Sequence, residues 1–293
     1  MAKRLLDVGH KVILLDIYFD GTSELECTKI KGDVYDDSTF GLLSDYPDVV
    51  FHAAAVSRVE WGEIDPGKCL RTNVMGLMNT LSWLMKATTH PHFIFASSRE
   101  VYGEPKSVPA TEDCPKQPIS VYGTSKLAAE QLLAHFGVVD KLRYTILRFS
   151  NVYGSTRDLP ERVIPRFTER ALRGQQLILN GGDQILDFTF IDDVVEGLMT
   201  LISQIEHGSD QVVNTDFNFC SGQGTSIKQL ADLVKDATKS KSEIVVSARK
   251  SYDVTKFIGN SAKAQRILQF RTEKIETGLR KYVERVLTSR MST

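Results

Sequence analysis

Short apolar segments alternate with longer segments of helical periodicity, and this alternation constrains the fold more than any other feature of the chain. The apolar segments, which are predicted strands, cover residues 11–16, 49–55, 92–98 and 144–150. Helical periodicity lies between them, at 66–88 and 119–137. Continuous apolar strands are typical of a parallel sheet that is covered on both faces. The sequence therefore predicts an α/β fold of βαβ units around a parallel sheet.

The sequence changes in character after Gly154. Residues up to about 182 are richer in charge and proline, and 185–202 again has the pattern of a strand followed by a helix. The remaining residues predict short helices and polar connections instead of further regular βα units. We therefore expect a larger domain over 1–154 and a smaller, interleaved domain over 155–293, with 185–202 returning to the first.

Composition argues against several classes of function. A chain of 293 residues with 42% hydrophobic and 25% charged residues is typical of a globular protein with a sizeable core. The net charge of −1 argues against binding to nucleic acid or to an anionic membrane. The four cysteines are scattered without metal-ligand spacing, so we predict reduced thiols and no metal site. The absence of a signal peptide and of an apolar run of about 18–20 residues predicts a cytoplasmic protein.

Tyr122 and Lys126 form the first candidate for a catalytic pair. Residues four apart share one helix face. A phenol titrates near pH 10, and a neighbouring ammonium favours its ionised form. With a hydroxyl from Ser98, which follows Ser97 at the end of a predicted strand, such a pair can exchange a proton with an alcohol or a ketone. This spacing of tyrosine and lysine is common by chance, so the residues around the pair must show whether it is catalytic.

Six motifs occur in a fixed order around this pair: HAAA at 52–55, NVMGLMN at 73–79, SSREVYG at 97–103, YGTSK at 122–126, LRFSNVYG at 147–154 and DFTFIDD at 187–193. Together they resemble the extended short-chain dehydrogenase/reductases, in particular the NAD-dependent sugar epimerases and dehydratases. The resemblance covers nearly the whole chain. It implies a Rossmann-type, doubly wound parallel sheet over 1–154 that binds NAD, and a smaller substrate-binding domain over 155–293.

The resemblance also implies a set of cofactor-binding residues. Asp16 would receive the ribose hydroxyls of adenosine, and its charge would repel a 2′-phosphate, so NAD is favoured over NADP. Asn73 would brace the active-site helix, and His52 would lie beside the cofactor without a catalytic role. The cofactor-binding residues implied in this way are Asp16, Asp33, Val34, His52, Ala53, Ala54, Asn73, Ser97, Tyr122, Lys126 and Phe149.

The catalytic residues implied by the resemblance are Ser98, Tyr122, Lys126 and Glu100. In the family's 4,6-dehydratases an Asp-Glu pair follows the serine or threonine, whereas this chain has Arg99 and Glu100. Arginine cannot donate a proton to a leaving hydroxyl at pH 7, so dehydration is disfavoured. Decarboxylation of a uronic acid and a purely structural role for Glu100 both stay open.

The substrate-binding residues implied by the resemblance are Ser98, Asn151 and Arg249. Family members that bind nucleotide diphosphates commonly carry arginine just before the aspartate of the last motif, and this chain has Leu186 there. Leucine cannot pair with a diphosphate, so that contact is lost. Arg249 or Lys250, together with Lys256, can supply phosphate-binding cations or form a solvated basic surface.

The amino terminus departs most from the family pattern. The family opens with a strand and a GxxGxxG loop, whose amides face the cofactor's pyrophosphate. This sequence contains no GxxGxxG, and residues 1–6 resemble the helix that follows the loop, with Gly9 as its C-cap. The edges of the strands that would neighbour the absent strand are expected to be exposed or re-paired. Either the sequence is a shortened form of an ordinary enzyme, or the short chain binds NAD poorly or not at all.

The sequence thus predicts an NAD-dependent sugar-nucleotide 4-epimerase that acts on a UDP-sugar. A nucleotide-sugar decarboxylase or dehydratase is the alternative within the family. A non-catalytic homologue that cannot hold NAD is the alternative from another class. Family precedent further implies a homodimer built from the helices at 66–88 and 119–137.

Overall fold

The computed structural model describes residues 1–19, 22–89, 91–248 and 254–291. Its strands are β1 (Ile13–Asp16), β2 (Thr28–Lys31), β3 (Val49–His52), β4 (His92–Ser98), β5 (Arg143–Phe149), β6 (Asn151–Tyr153), β7 (Leu177–Asn180), β8 (Ile185–Phe190), β9 (Thr215–Phe219), β10 (Gly224–Ser226) and β11 (Ile244–Ser247). Its α-helices are α1 (Ala2–Asp7), α2 (Val59–Ile64), α3 (Pro66–Leu70), α4 (Gly76–Leu84), α5 (Val121–Val139), α6 (Val163–Leu172), α7 (Ile191–Glu206), α8 (Ile227–Thr238), α9 (Ala262–Leu268) and α10 (Ile275–Met291). Within these described ranges, no helix combines the length and the apolar character that crossing a membrane requires.

The chain divides into two compact units. The first unit consists of 1–103, 116–148 and 198–217, and the second consists of 104–115, 149–197 and 218–293. These bounds differ from the expected ones, because 104–115 groups with the second unit and the part that returns to the first is 198–217, not 185–202. The reason for the second difference is strand pairing, since β8 forms a sheet with β6 and β10 of the second unit.

Two sheets form the framework of the first unit. Strands β1 and β2 pair in parallel, with Ile13 opposite Thr28. The larger sheet has the order β3-β4-β5-β9, and β3 pairs with β4 in parallel. The α/β prediction is therefore confirmed. Among the described residues, β1 pairs only with β2 and β3 only with β4, so each of these two strands keeps an edge without a strand partner.

The core of the first unit fixes helix α5 against strand β4. Phe93 and Phe95 project from β4 and are fully buried among apolar side chains of α4 and α5. The buried members of this cluster are Leu77, Leu81, Leu84, Phe93, Phe95, Ala129, Leu133, Leu142 and Ile146. Burying a side chain of this size contributes about 1.5–3 kcal/mol. This packing sets the position of the helix that carries Tyr122 relative to the strand that ends at Ser98.

The predicted helix over 66–88 is interrupted. It begins as expected, with the Asp65 carboxylate accepting from the Lys68 amide at 2.9 Å and proline in the first turn. Residues Arg71–Met75 then form a π-helical turn before α4 begins. Such turns are rare and often occur at functional sites, and this one contains Asn73.

The second unit has its own core and its own sheets. Strands β10, β8 and β6 form one sheet, and β11 pairs in parallel with β7 in another. Helices α6, α8 and α10 and strands β6, β7 and β8 contribute to the core, whose buried members are Tyr153, Ile164, Phe167, Ala171, Leu177, Leu179, Phe188, Phe190, Ile227, Leu230, Ala231, Val234, Ile275, Leu279 and Tyr282.

Asp187 is the buried polar centre of the second unit. Its carboxylate accepts from the amide and hydroxyl of Ser221 at 2.8 and 2.7 Å, from the Gly222 amide at 2.9 Å and from the Gly259 amide at 3.2 Å. Burial raises the pKa of this carboxyl, and the hydrogen bonds oppose that rise. The carboxylate thus ties β8 to two separate loops.

We expect Asp187→Ala to lower the free energy of unfolding by about 3–5 kcal/mol, because it leaves four donors around a buried site without their acceptor. Urea denaturation measures the effect. Asp183→Ala, at an exposed position close to the same strand, is the control and should change stability by less than about 0.5 kcal/mol. Equal losses in the two variants would contradict this prediction.

Candidate active site

The start of helix α5 is held in place by three contacts. The Ser120 hydroxyl accepts from the Gly123 amide at 3.0 Å, and the Glu63 carboxylate accepts from the Val121 amide at 2.8 Å. A Cβ on Gly123 would lie 2.6 Å from the carbonyl oxygen of Glu100, so only glycine allows this close approach. Tyr122 in the first turn is thereby placed next to the 3-10 turn Arg99–Tyr102, which follows Ser98.

Lys126 is buried and reaches strand β4. Its ammonium donates to the carbonyl oxygen of Ala96 at 2.8 Å and lies over the Phe95 ring, 4.8 Å from its centre. Burial lowers the pKa of Lys126 to about 8, and electrostatic interactions with Cys69 and Glu130 oppose that shift. The ammonium is therefore still mostly charged at pH 7. Ala96, which it contacts, precedes Ser98 by two residues along β4.

The two serines at the end of β4 make different contacts. Ser98 is 8% exposed, and its hydroxyl accepts from the Glu100 amide at 3.2 Å. The hydroxyl of Ser97 donates to the carboxylate of Glu130 on α5 at 2.5 Å. Successive side chains of a strand point to opposite faces, so the two hydroxyls serve different surroundings. The predicted contact of Ser97 with a cofactor therefore has to compete with a hydrogen bond already made.

Arg99 and Glu100 form a buried ion pair with a distance of 2.7 Å between Nη2 and Oε1. The second carboxylate oxygen of Glu100, Oε2, is buried and has no hydrogen-bond partner within the described parts of the chain. A buried acceptor without a partner costs about 1–3 kcal/mol unless something binds to it. Glu100 is therefore structurally able to interact with a ligand, although Arg99 already balances its charge.

Asn73 braces the helix that carries Tyr122. Its Oδ1 accepts from the Val56 amide at 2.7 Å, and its Nδ2 donates to the Val56 carbonyl at 3.2 Å and to the Ser125 hydroxyl at 2.8 Å. The Ser125 hydroxyl in turn donates to the carbonyl oxygen of Tyr122 at 2.7 Å. Asn73 thus connects the π-helical turn, the segment after β3 and the first turns of α5.

We expect Asn73→Ala to lower the free energy of unfolding by about 2–4 kcal/mol, since it removes the partners of buried groups on Val56 and Ser125. Urea denaturation measures this loss. Asn79→Ala is the matched control, because Asn79 also donates to backbone carbonyls, those of Val34 and Tyr35, but at a more exposed place. A smaller loss for Asn73 than for Asn79 would contradict the bracing role.

The predicted adenosine-binding residues lie at the ends of β1 and β2. Asp16 and Asp33 are exposed, and each accepts through Oδ1 from the amide two residues later. The two strands are parallel, so their carboxyl ends meet at one edge, where nucleotides bind in sheets of this type. Val34 is buried, and Ala53 and Ala54 follow β3 at exposed and partly exposed positions.

His52 is buried at the end of β3 and stacks on Phe93 and Phe95, with ring centres 5.7 and 6.1 Å apart. Burial lowers the pKa of His52 to about 3, with a smaller contribution from Lys126. The imidazole is therefore neutral over the physiological range. The absence of a catalytic role for His52 stays a prediction.

Comparison with known proteins decides the family. Residues 1–220 match the family described as "NAD dependent epimerase/dehydratase family". The chain belongs to this family. A UDP-glucose 4-epimerase of Corynebacterium glutamicum is 29% identical over 300 residues, covering 97% of this chain and 89% of that relative.

Solved structures of similar proteins share the fold. A UDP-glucose 4-epimerase of Thermotoga maritima, solved with UDP-glucose, superposes with a TM-score of 0.89 at 31% identity, covering 98% of this chain and 94% of that one. MoeE5 in complex with UDP-glucose and NAD gives a TM-score of 0.87 at 27% identity, again covering 98% and 94%. The fold is thus the Rossmann-like one that the motifs imply.

In this epimerase/dehydratase family member, Ser98 belongs to the first unit, whereas Phe149, which was predicted to bind the cofactor, and Asn151, which was predicted to bind the substrate, belong to the second unit. Phe149 packs edge-on against Phe219, with ring centres 5.6 Å apart. The amide of Asn151 donates to the Asp187 carbonyl oxygen at 2.8 Å. Leu186, at the family's arginine position, packs against the core of that unit. Arg249 and Lys250 lie outside the described residues, and their predicted roles stay predictions.

A buried network centred on Glu130 and Arg148 lies beside Tyr122 and Lys126 and was not predicted. Two features of the sequence indicate it. Glu130 is four residues after Lys126 and eight after Tyr122, so it shares their helix face. Arg148 interrupts an otherwise apolar strand, and a buried arginine requires a partner.

Proposed function

We propose that this chain is an NAD-dependent sugar-nucleotide 4-epimerase that acts on a UDP-sugar. Tyr122 exchanges the proton of the sugar's 4-hydroxyl, Ser98 hydrogen-bonds the same oxygen, and Lys126 stabilises the negative charge that develops on Tyr122. Lys126 and Asp16 would hold NAD, which would supply a hydride acceptor and donor for C4. Return of the hydride to the opposite face of the sugar would invert C4 without consuming the cofactor.

The observation that carries this proposal is the buried ammonium of Lys126. It lies one helical turn from Tyr122 and donates to Ala96, two residues before Ser98. A buried lysine costs folding free energy, and such a cost is typically kept where chemistry needs the charge. Ser98, Tyr122 and Lys126 all belong to the first compact unit.

Part of the expected cofactor site is present in this chain. Asp16 is exposed at the end of β1, as recognition of ribose hydroxyls requires, and Lys126 would bind the hydroxyls of the nicotinamide ribose. Ala53 and Ala54 are small enough for the backbone to approach a cofactor closely. The residues present therefore fit the two riboses, while the sequence contains no glycine-rich loop for the pyrophosphate.

Incubation of the purified chain with UDP-galactose and NAD tests the proposal. Proton NMR of the sugar is expected to show conversion to UDP-glucose, with inversion at C4 and the carbon skeleton intact. Loss of a carboxyl group from UDP-glucuronate, or of water from any of the sugars tried, without inversion at C4, would contradict an epimerase.

Glu100 supports a second candidate, a nucleotide-sugar decarboxylase. Its buried Oε2 without a partner and the neighbouring guanidinium of Arg99 are groups that can contact a uronic acid. Release of CO₂ from UDP-glucuronate, abolished by Glu100→Gln while UDP-galactose is left unchanged, would favour this candidate. Dehydration is less well supported, because Arg99 replaces the expected acid.

A non-catalytic homologue is the candidate from another class. Isothermal titration with NAD distinguishes it from either enzyme, because both enzymes need the cofactor. Heat of binding with a dissociation constant below about 100 µM would support an enzyme. No binding at millimolar NAD would favour the non-catalytic protein.

We further propose that the chain forms a homodimer through the helices at 66–88 and 119–137. Large apolar side chains are exposed on and beside these segments, at Trp61, Ile64, Leu70, Met75 and Ile119. Light scattering is expected to give the mass of two chains of 32.8 kDa each. The mass of one chain at micromolar concentration would contradict the dimer.

A further inference from the structure

A buried network of polar side chains connects four elements of the first unit behind the predicted catalytic residues. Arg148 on β5 binds both carboxylate oxygens of Glu130 on α5, through Nε at 2.9 Å and Nη2 at 2.8 Å. Its Nη2 also lies 2.7 Å from a carboxylate oxygen of Asp216 on β9. Its Nη1 donates to the hydroxyl of Tyr102 at 2.9 Å. Arg148 is 3% exposed and Glu130 is 5% exposed.

Each end of this network reaches the catalytic region. Glu130 accepts from the hydroxyl of Ser97, which is joined by one peptide bond to Ser98. Tyr102 belongs to the 3-10 turn whose amide at Glu100 donates to the Ser98 hydroxyl. Glu130 also lies on the next turn of α5 after Lys126, so its negative charge acts on the ammonium.

Such a network is costly in folding free energy, so its presence favours a role beyond stability. Taking two charges out of water costs several kcal/mol per ion, and apolar residues of the same volume are often as stable or more stable. A bidentate guanidinium–carboxylate pair, in contrast, fixes geometry in a way that apolar packing does not. Positional precision is what the adjacent strand end and helix need, since small displacements of reacting groups lower rates steeply.

We propose that Glu130, clamped by Arg148, is a positioning residue for the site formed by Ser98, Tyr122 and Lys126. Through Ser97 it holds the end of β4 against α5, and it places a negative charge one helical turn from the ammonium. This role rests on the proposed epimerase function, but the contacts that define it do not.

Glu130→Gln tests the proposal, because glutamine keeps the shape and one acceptor oxygen while removing the charge. We expect kcat with UDP-galactose to fall about 10–100-fold while KM changes less than about threefold, since the substrate is still bound but the reacting groups are misplaced. Glu284→Gln, at an exposed position of α10, is the control and should leave both constants unchanged. A Glu130→Gln enzyme with kcat within threefold of wild type would overturn the proposal.

A double variant separates positioning from stability. Glu130→Leu combined with Arg148→Met replaces the ion pair by apolar side chains, and the Tm of this double variant should lie within a few degrees of the wild-type Tm. We expect the kcat of this folded protein to be at least tenfold below the wild-type kcat. Recovery of kcat together with Tm would overturn the proposal, because the network would then be only structural.

The titration of Lys126, followed by NMR of lysine labelled with ¹³C at Cε, tests the network without any turnover. The charged and titratable groups that act on this ammonium are Cys69 on α3, Glu130 on its own helix and His52 on β3. In Glu130→Gln the midpoint of the Lys126 titration should fall by about one pH unit, because the variant removes the negative charge of Glu130, which favours the ammonium form. An unchanged midpoint would overturn the proposal. The expected shift in Glu130→Gln, together with a wild-type chain that turns over no UDP-sugar, would contradict the epimerase function alone.

Discussion

Tyr122→Phe is expected to lower kcat for 4-epimerisation by about 10²–10⁴-fold while the protein stays folded. The phenol hydroxyl is the only part removed, and in the proposed mechanism it is the group that exchanges the substrate proton. The ring of Tyr122 packs with Val56 and Cys69, and phenylalanine keeps that packing. KM should change little, because substrate binding also involves other groups. Turnover of UDP-galactose followed by NMR, with Tm as a check on folding, measures the effect.

Tyr46→Phe is the matched control for this prediction. It also removes one phenol hydroxyl from a tyrosine of the first unit, but Tyr46 is exposed and packs on Trp83 of α4. It should leave kcat within twofold of wild type. Retention of more than about a tenth of wild-type kcat by Tyr122→Phe would show that this hydroxyl is not the principal proton carrier.

Lys126→Met is expected to remove turnover and, at pH 7, to make the folded chain more stable by up to about 3 kcal/mol. The pKa of Lys126 falls from 10.5 to about 8 on folding. Each pKa unit corresponds to about 1.4 kcal/mol, so the charged form is held in the folded state at a cost of roughly this size. Methionine fills a similar volume without a charge. Urea denaturation at pH 7 measures the gain.

The advantage of methionine should depend on pH in a defined direction. Between about pH 8 and 10.5 the unfolded wild-type chain keeps the Lys126 proton while the folded chain has lost it. The free energy of unfolding of the wild type therefore gains a contribution from Lys126 as pH rises through this window, and that contribution is absent in the variant. The stability difference should be largest below pH 8 and close to zero near pH 10.5.

Lys228→Met, at an exposed position on α8, is the control for both measurements and should change stability by less than about 0.5 kcal/mol at either pH. A Lys126→Met chain that is less stable than wild type at pH 7 would contradict the prediction. In that case the hydrogen bond to Ala96 and the contact with the Phe95 ring would outweigh the cost of burying the charge.

Much of the fold could be predicted from local patterns. The strand at 92–98 and the helix that begins near residue 120 depend on runs of neighbouring residues, and the structure has them as β4 and α5. The π-helical turn at Arg71–Met75 was not predicted, because its geometry depends on what Asn73 contacts across 17 and 52 residues of sequence. Likewise, the sequence pattern predicts that β8 returns to the first domain, but its pairing with β6 and β10 places it in the second unit.

The sequence by itself determined the alternation of strands and helices and the shared helix face of Tyr122 and Lys126, because both follow from residues close together in the chain. Only the tertiary structure decided that the Lys126 ammonium is buried against Ala96, 30 residues away, and that Ser97 contacts Glu130, 33 residues away. Such contacts depend on how a helix packs on a strand. The spacing of Tyr122 and Lys126 therefore identified a candidate pair, whereas burial and long-range hydrogen bonds gave that pair its electrostatic environment and its supports.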